Sequence, residues 1–314
     1  MPSLRSKFCR FLTRVFMAPI FDPNKSIEET RRGMERLAKF TSLPSKTRVT
    51  KIQLKGISAE WIYGEAARKD SVILYLHGGA YNICSPNTHR ETAAHIAHAS
   101  GAQVLLPDYR LAPEHPFPSA LQDATEAYRW LLDSGFKSGH IALAGDSAGG
   151  GLAIATALAL REAGVSAPAA IACISPWTDL ALTGESIKTK AQADPLLNLP
   201  VLKRMAANYF GDLNPRSPLI SPIYADLREI SPLLIQVGSD EILLDDSTRM
   251  AREAAAAGVR VTLKIYSQLW HVFHFNAKLM PEAKAAIAEL GAFIQAHFTK
   301  SMENSNRIFA LQGN

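Results

Sequence analysis

Cysteine is scarce in this chain of 314 residues: Cys9, Cys84 and Cys173 stand far apart, with no C-x-x-C spacing among them. That excludes a disulfide framework and gives no zinc site, so a reducing, cytoplasmic compartment is the expected home. No apolar run of 18 residues free of charge occurs, and a membrane span is therefore not expected. Internal repeats and low-complexity tracts are also missing.

What remains is a globular composition. Hydrophobic residues make up 47% of the chain, enough for one large α/β domain with decoration or for two small domains. The net charge of +5 is unevenly spread: residues 1 to 51 hold twelve Lys/Arg and four Asp/Glu, a balance of +8, which leaves −3 for the other 263 residues. No nucleic-acid partner is expected.

The basic segment opens "MPSLRSKFCRFLTRVF". Leu4, Phe8, Phe11, Leu12 and Val15 recur at helical spacing, and Lys7, Arg10 and Arg14 fall on the other face. Such a helix can lie on an anionic membrane surface. Packing of the apolar face over its own domain is the favoured reading, and Arg10 and Arg14 interrupt what a secretory signal would need as an apolar core.

After "SLPSK" the pattern becomes strand-like, with "RVTKIQL" and "AEWIYG" alternating around Gly56 as in a hairpin. Six further strands follow in "SVILYLH", "AQVLLPD", "HIALAG", "AAIACIS", "PLLIQVG" and "VRVTLKIY". Between them lie helical stretches near 90–100, from Ser119 (a cap) towards Gly135, and from Ser147 to Ala163; others run through "DDSTRMAREAAAAG" and from Pro281 to about Phe298. Strands alternating with helices imply a mainly parallel sheet covered on both faces. Residues 184 to 219 break this rhythm with a helical piece flanked by prolines, an insertion of the kind that shapes a binding site.

Chemistry concentrates around "GDSAG". A sharp strand-to-helix turn needs glycine at 145 and 149, lifts the Ser147 hydroxyl above the sheet and points it at a helix N-terminus. The N–H of Ala148 then becomes an oxyanion donor, and the glycines of "HGGAY" at the end of another strand supply the missing half of the hole. A serine nucleophile needs a base, and the base needs an orienting acid. Asp240 follows a strand directly and is preferred over Glu241, Asp245 and Asp246, of which the last two are read as helix caps. His271 stands nearer its strand than His274 and is preferred as the base. A metal ligand pair at 271 and 274 lacks partners. His89, His95, His98, His115, His140 and His297 read as helix-face or loop residues.

The motifs "HGGAY", "DYRLAPEHPFPSALQDA", "GDSAGG", "PWTDL", "GSDEILLDD" and "LWHVFH" resemble the hormone-sensitive lipase family of α/β-hydrolases, chiefly bacterial carboxylesterases, over residues 50 to 298. The resemblance implies an α/β-hydrolase fold: a mainly parallel eight-stranded sheet with helices on both faces and a helical cap. Residues 1–45 and about 184–219 would form the cap, 46–298 the catalytic domain and 299–314 a C-terminal tail. Carried over residue by residue, it implies a triad of Ser147, Asp240 and His271 and an oxyanion hole of Gly78, Gly79 and Ala148. Tyr81 and Phe275 are candidates for the pocket wall, and Asp108, Arg110 and Glu114 for ties behind the "HGG" loop. Two departures stand out: Ala80 replaces the last glycine of "HGGG", and Val272 follows the histidine where many relatives have glycine.

The implied activity is hydrolysis of short- to medium-chain carboxylic esters by an acyl-enzyme route, with no cofactor and a small-molecule ester as the partner. Amidase, arylformamidase-like and lactone hydrolysis are alternatives on the same site. The plant gibberellin receptor has this kind of fold without the histidine, and the retention of His271 argues against a purely binding role. Relatives pair through an edge strand, which here is "VRVTLKIY", so a homodimer is admitted.

Overall fold

The computed structural model describes the backbone of residues 2–311 and the side chains of residues 2–298. Its centre is an eight-stranded sheet in the order β1-β2-β4-β3-β5-β6-β7-β8. The hairpin β1 (Thr47–Leu54) and β2 (Ile57–Gly64) turns at Gly56, whose φ of +97° is one that L side chains rarely adopt. β2 is antiparallel to β1 and β4 (Ala102–Pro107), and every later pairing is parallel.

The apolar runs of the sequence become the strands buried on both faces: β3 (Arg68–Leu76) from Ser71 onward, β5 (Ile141–Asp146), β6 (Ala170–Ile174) and β7 (Leu233–Gly238). Among the described residues β8 (Val261–Tyr266) pairs only with β7, and it is partly exposed. From β3 the chain steps outward to β4, then returns to the other side of β3 as β5. The crevice between the carboxyl ends of β3 and β5 is therefore a topological switch point, where open α/β sheets hold their ligands. Both the "HGGA" loop and Ser147 begin there.

Within the N-terminal segment lie α1 (Leu4–Leu12) and α2 (Ile27–Ala38). The sheet is covered by α3 (Pro86–Ser100), α4 (Ser119–Asp133) and α5 (Ala148–Glu162). The insertion contributes α6 (Ser186–Thr189) and α7 (Leu199–Phe210), before α8 (Leu244–Ala256) and α9 (Pro281–Leu311) return to the sheet. Several expected boundaries move. α3 starts one turn early because Ser85 caps it and Pro86 fits its first position. Ser119 is the first helical residue of α4, not its cap. α9 runs past Phe298, and the expectation of a tail at 299–314 falls where side chains lie outside the described residues.

The N-terminal segment and the insertion meet above the carboxyl edge of the sheet. The Asn198 amide donates to the carbonyl of Phe21 at 2.9 Å, and Arg204 donates to those of Pro23 and Lys25 at 2.7 and 2.8 Å. α1 departs from expectation: Ser6, Cys9 and Thr13 face inward, and the Phe8 and Phe11 rings face solvent. Among the described residues no helix is long and apolar enough to cross a membrane.

Candidate active site

Ser147 sits between β5 and α5 at φ +54° and ψ −124°, a strained backbone that L residues seldom hold. Its N–H donates to Ile174 O at 2.8 Å, and its carbonyl accepts from Gly150, Gly151 and Trp177. The strained residue is thus pinned on both sides. A Cβ on Gly149 would overlap the Leu76 carbonyl, and one on Gly145 would overlap the Gly149 carbonyl, so close packing requires both glycines that flank the serine.

His271 Nε2 lies 3.0 Å from Ser147 Oγ, and the ring is 2% exposed. Its other nitrogen, Nδ1, lies 2.7 Å from Glu241 Oε2. This corrects the acid chosen from the sequence: Asp240 turns away and pairs with Arg10 at 2.8 Å. The physical reason lies in the turn after β7. The Asp240 N–H is fixed to Leu269 O, and Glu241 folds back so that Oε1 accepts from Gly238 N and Ser175 Oγ at 2.9 and 3.0 Å. Glu241 is fully buried, with one oxygen held and the other aimed at the imidazole. Burial alone would push the His271 pKa down, but the hydrogen bond and charge of Glu241, with Asp194 adding to them, hold it above the ordinary histidine value. His274, the rejected alternative, is buried against Gln236 Oε1 at 3.0 Å.

The oxyanion donors also need revision. Gly78 N donates to Asp146 Oδ1 at 3.1 Å and approaches His89 Nε2 at 3.2 Å, so it is already engaged. The N–H groups of Gly79, Ala80 and Ala148 make no hydrogen bond among the described residues. Each is aimed by the carbonyl on the other side of its trans peptide. The Gly78 carbonyl is held by His77 Nδ1 at 2.7 Å, that of Gly79 accepts from Asn82 and Ile83, and that of Ser147 is held as above. Burial, reinforced by the charge of His89, lowers the His77 pKa to about 3, which keeps this ring neutral. Donors fixed in advance in this way are what a developing oxyanion needs.

Behind the loop lies a buried network the sequence did not reveal. Asp146 Oδ1 also accepts from Tyr75 OH at 2.8 Å, and Oδ2 lies 3.3 Å from His89 Nε2. His89 therefore belongs to the site and is not an incidental helix-face residue. Tyr81, expected in the pocket, stands behind the loop instead: with φ at +62°, its ring turns into the core and stacks on Tyr209 at 3.7 Å. Phe275 does line the cavity over Ser147, opposite apolar side chains of the insertion such as Leu197 and Met205.

Both departures from the family pattern occupy left-handed backbone, Ala80 at φ +52° and Val272 at +49°, which explains glycine at those positions in relatives. Of the ties, Glu114 holds Arg31, which donates to Asn82 O and Ala112 O, whereas Arg110 grips Asp123 and Asp108 reaches Ser58. Asp245 and Asp246 do not cap α8. Asp245 accepts from Ser186 N, and Asp246 from Thr178 N and Asp179 N.

Two positioning contacts reach the triad from outside the core. Asp194, in "ADPLL", accepts from Ile242 N at 3.0 Å, next to Glu241. Arg10 joins three loops at once: Asp240, the carbonyl of Gln268 and the carbonyl of Ala193. An aspartate before a proline and an arginine amid an apolar helix were the only signals of these roles in the sequence.

Comparison with known proteins agrees with this fold. A family model described as the alpha/beta hydrolase fold matches residues 73–275. An acetyl-hydrolase of Streptomyces hygroscopicus is 46% identical over 239 residues, covering 76% of this chain and 79% of the relative. An esterase of Acinetobacter venetianus is 36% identical over 264 residues, with 84% and 87% covered. Among solved structures, an esterase from the bacterial hormone-sensitive lipase family superposes with a TM-score of 0.91 at 43% identity over 95% of this chain and 99% of that one. EstE5, soaked with p-nitrophenyl butyrate, gives a TM-score of 0.90 at 40% identity with the same coverage. The chain belongs to the α/β-hydrolases, within their bacterial hormone-sensitive lipase family.

Proposed function

We propose that the protein is a serine carboxylesterase that cleaves short- to medium-chain carboxylic esters through an acyl-enzyme on Ser147. The observation that carries this reading is the unbroken line Glu241–His271–Ser147, at 2.7 and 3.0 Å, beside three N–H groups that have no partner among the described residues. His271 takes the proton of Ser147 as Oγ attacks the ester carbonyl, and Glu241 orients the ring and stabilises its charged form. Gly79, Ala80 and Ala148 receive the oxyanion. The alcohol leaves with the proton held on His271 Nε2, and water attacks the acyl-enzyme by the same route in reverse.

The cavity wall supports the chain-length part of this reading. Its acyl-facing side is apolar, built from the N-terminal segment at Met17 and Phe21 and from the insertion at Leu196, Val201 and Met205. These two segments act together as a cap, which limits the room for a long chain. The name of the Streptomyces relative and the ester soaked into EstE5 point the same way. Hydrolysis of p-nitrophenyl esters from acetate to palmitate tests the reading. The expected profile peaks at or below the medium-chain esters; a peak at palmitate would reject the short-chain assignment.

A further inference from the structure

We propose that α1 docks the protein onto the surface of an anionic phospholipid bilayer. Four apolar residues at helical spacing point away from the domain: Leu4 is 83% exposed, Phe8 57%, Phe11 59% and Val15 44%, and Phe16 follows at 58%. The spacing of four and three residues places Leu4, Phe8 and Phe11 in one stripe of α1, opposite the buried Ser6 and Cys9, and the π-helical turn Thr13–Met17 that continues it leaves Val15 and Phe16 exposed and Thr13 buried. A helix that only covered its own domain would turn this stripe inward.

α1 is prevented from rolling over by its polar side. Ser3 donates through both N–H and Oγ to Glu282 at 2.6 and 3.0 Å, and Arg10 is held by Asp240 and two carbonyls. The stripe is thus held outward.

Charge selects the occupant. Arg5, Lys7 and Arg14 are exposed beside the stripe, none has a carboxylate partner among the described residues, and no acidic residue precedes Asp22. By helical geometry Arg5 lies on one flank of α1 and Lys7 on the other, and Arg14 follows in the turn that continues the helix. A second copy docking stripe to stripe would bring two uncompensated cationic faces together. Anionic headgroups neutralise those cations, and the acyl boundary receives the rings, the arrangement of an in-plane amphipathic helix. Met17 and Phe21, just beyond the stripe, line the cavity over Ser147, so docking would set that wall of the cavity near the lipid.

The test is flotation of the full chain with vesicles of phosphatidylcholine and phosphatidylglycerol, and with phosphatidylcholine alone. Wild type is expected to float with the mixed vesicles, far less with the neutral ones, and to be released by high salt. Both Phe8→Gln/Phe11→Gln and Lys7→Glu/Arg14→Glu should cut the bound fraction at least about tenfold while keeping wild-type circular dichroism and Tm. None of these readouts requires ester hydrolysis. The proposal is overturned if wild type stays with the soluble fraction or if the double phenylalanine variant floats as well as wild type. It is equally overturned if ultracentrifugation finds a phenylalanine-dependent dimer that ignores vesicles.

Discussion

Replacing Glu241 by Gln removes the negative charge that faces His271 and keeps the size of the side chain. Glu241 Oε2 and His271 Nδ1 are 2.7 Å apart, both groups are shielded from water, and the imidazole becomes cationic only as the serine attacks. At a charge separation of about 4 Å and an effective dielectric of about 20, the lost attraction is ~4 kcal/mol. That corresponds to roughly a thousandfold fall in kcat/KM. Asp240→Asn breaks an ion pair whose two side chains are 20% and 23% exposed, a contact of the kind that contributes ~0.2–1 kcal/mol, so its loss should stay within about fivefold. The pH profile supplies a second readout. Activity needs neutral His271 and rises with pH through its pKa, which Glu241 holds above 6.5. In Glu241→Gln burial acts with much less opposition, so the acid limb should move to lower pH as the plateau falls. Stopped-assay kinetics on p-nitrophenyl butyrate across pH measure both effects. An Asp240→Asn loss equal to or larger than that of Glu241→Gln, or an acid limb that moves upward, would refute the assignment.

Arg10→Ala should lower kcat roughly tenfold with KM little changed, because the guanidinium donates to the carbonyls of Gln268 and Ala193 as well as to Asp240, and these bonds of a charged donor, together worth ~1.5–3 kcal/mol, hold the loops of Glu241 and His271. Arg10→Lys, which keeps the charge and loses the fork, should recover part of the loss; a fall in Tm alone, with kcat intact, would make the clamp merely structural. Ala80→Gly relieves a left-handed backbone and should raise stability by up to ~1 kcal/mol with kcat retained, since the donor is a backbone N–H; thermal unfolding alongside kinetics checks this, and a lowered Tm would contradict it.

Residue types were easier to read from the sequence than the directions in which side chains point. The strand positions, the elbow glycines and the choice of His271 over His274 follow from apolar runs and from distance to a strand end, which are local properties. Asp240 and Glu241 both follow β7 directly, and only the fold of the turn, fixed by the hydrogen bonds from Asp240 N to Leu269 O and from Gly238 N to Glu241, decides which carboxylate meets the ring. In the same way "HGGA" announces oxyanion donors, but which amides stay free depends on Asp146 and His77, brought there by the sheet. The face of α1 was misread because periodicity ranks apolar residues by burial, whereas Ser3 and Arg10 anchor the helix through distant carboxylates.

The central claim is that Ser147 forms the covalent intermediate, and intact-protein mass spectrometry after reaction with phenylmethylsulfonyl fluoride, followed by peptide mapping, tests it directly. One sulfonyl adduct is expected, located on Ser147, formed in step with loss of esterase activity and missing in Ser147→Ala. Full activity in Ser147→Ala, or inactivation with the adduct on another residue, would contradict it.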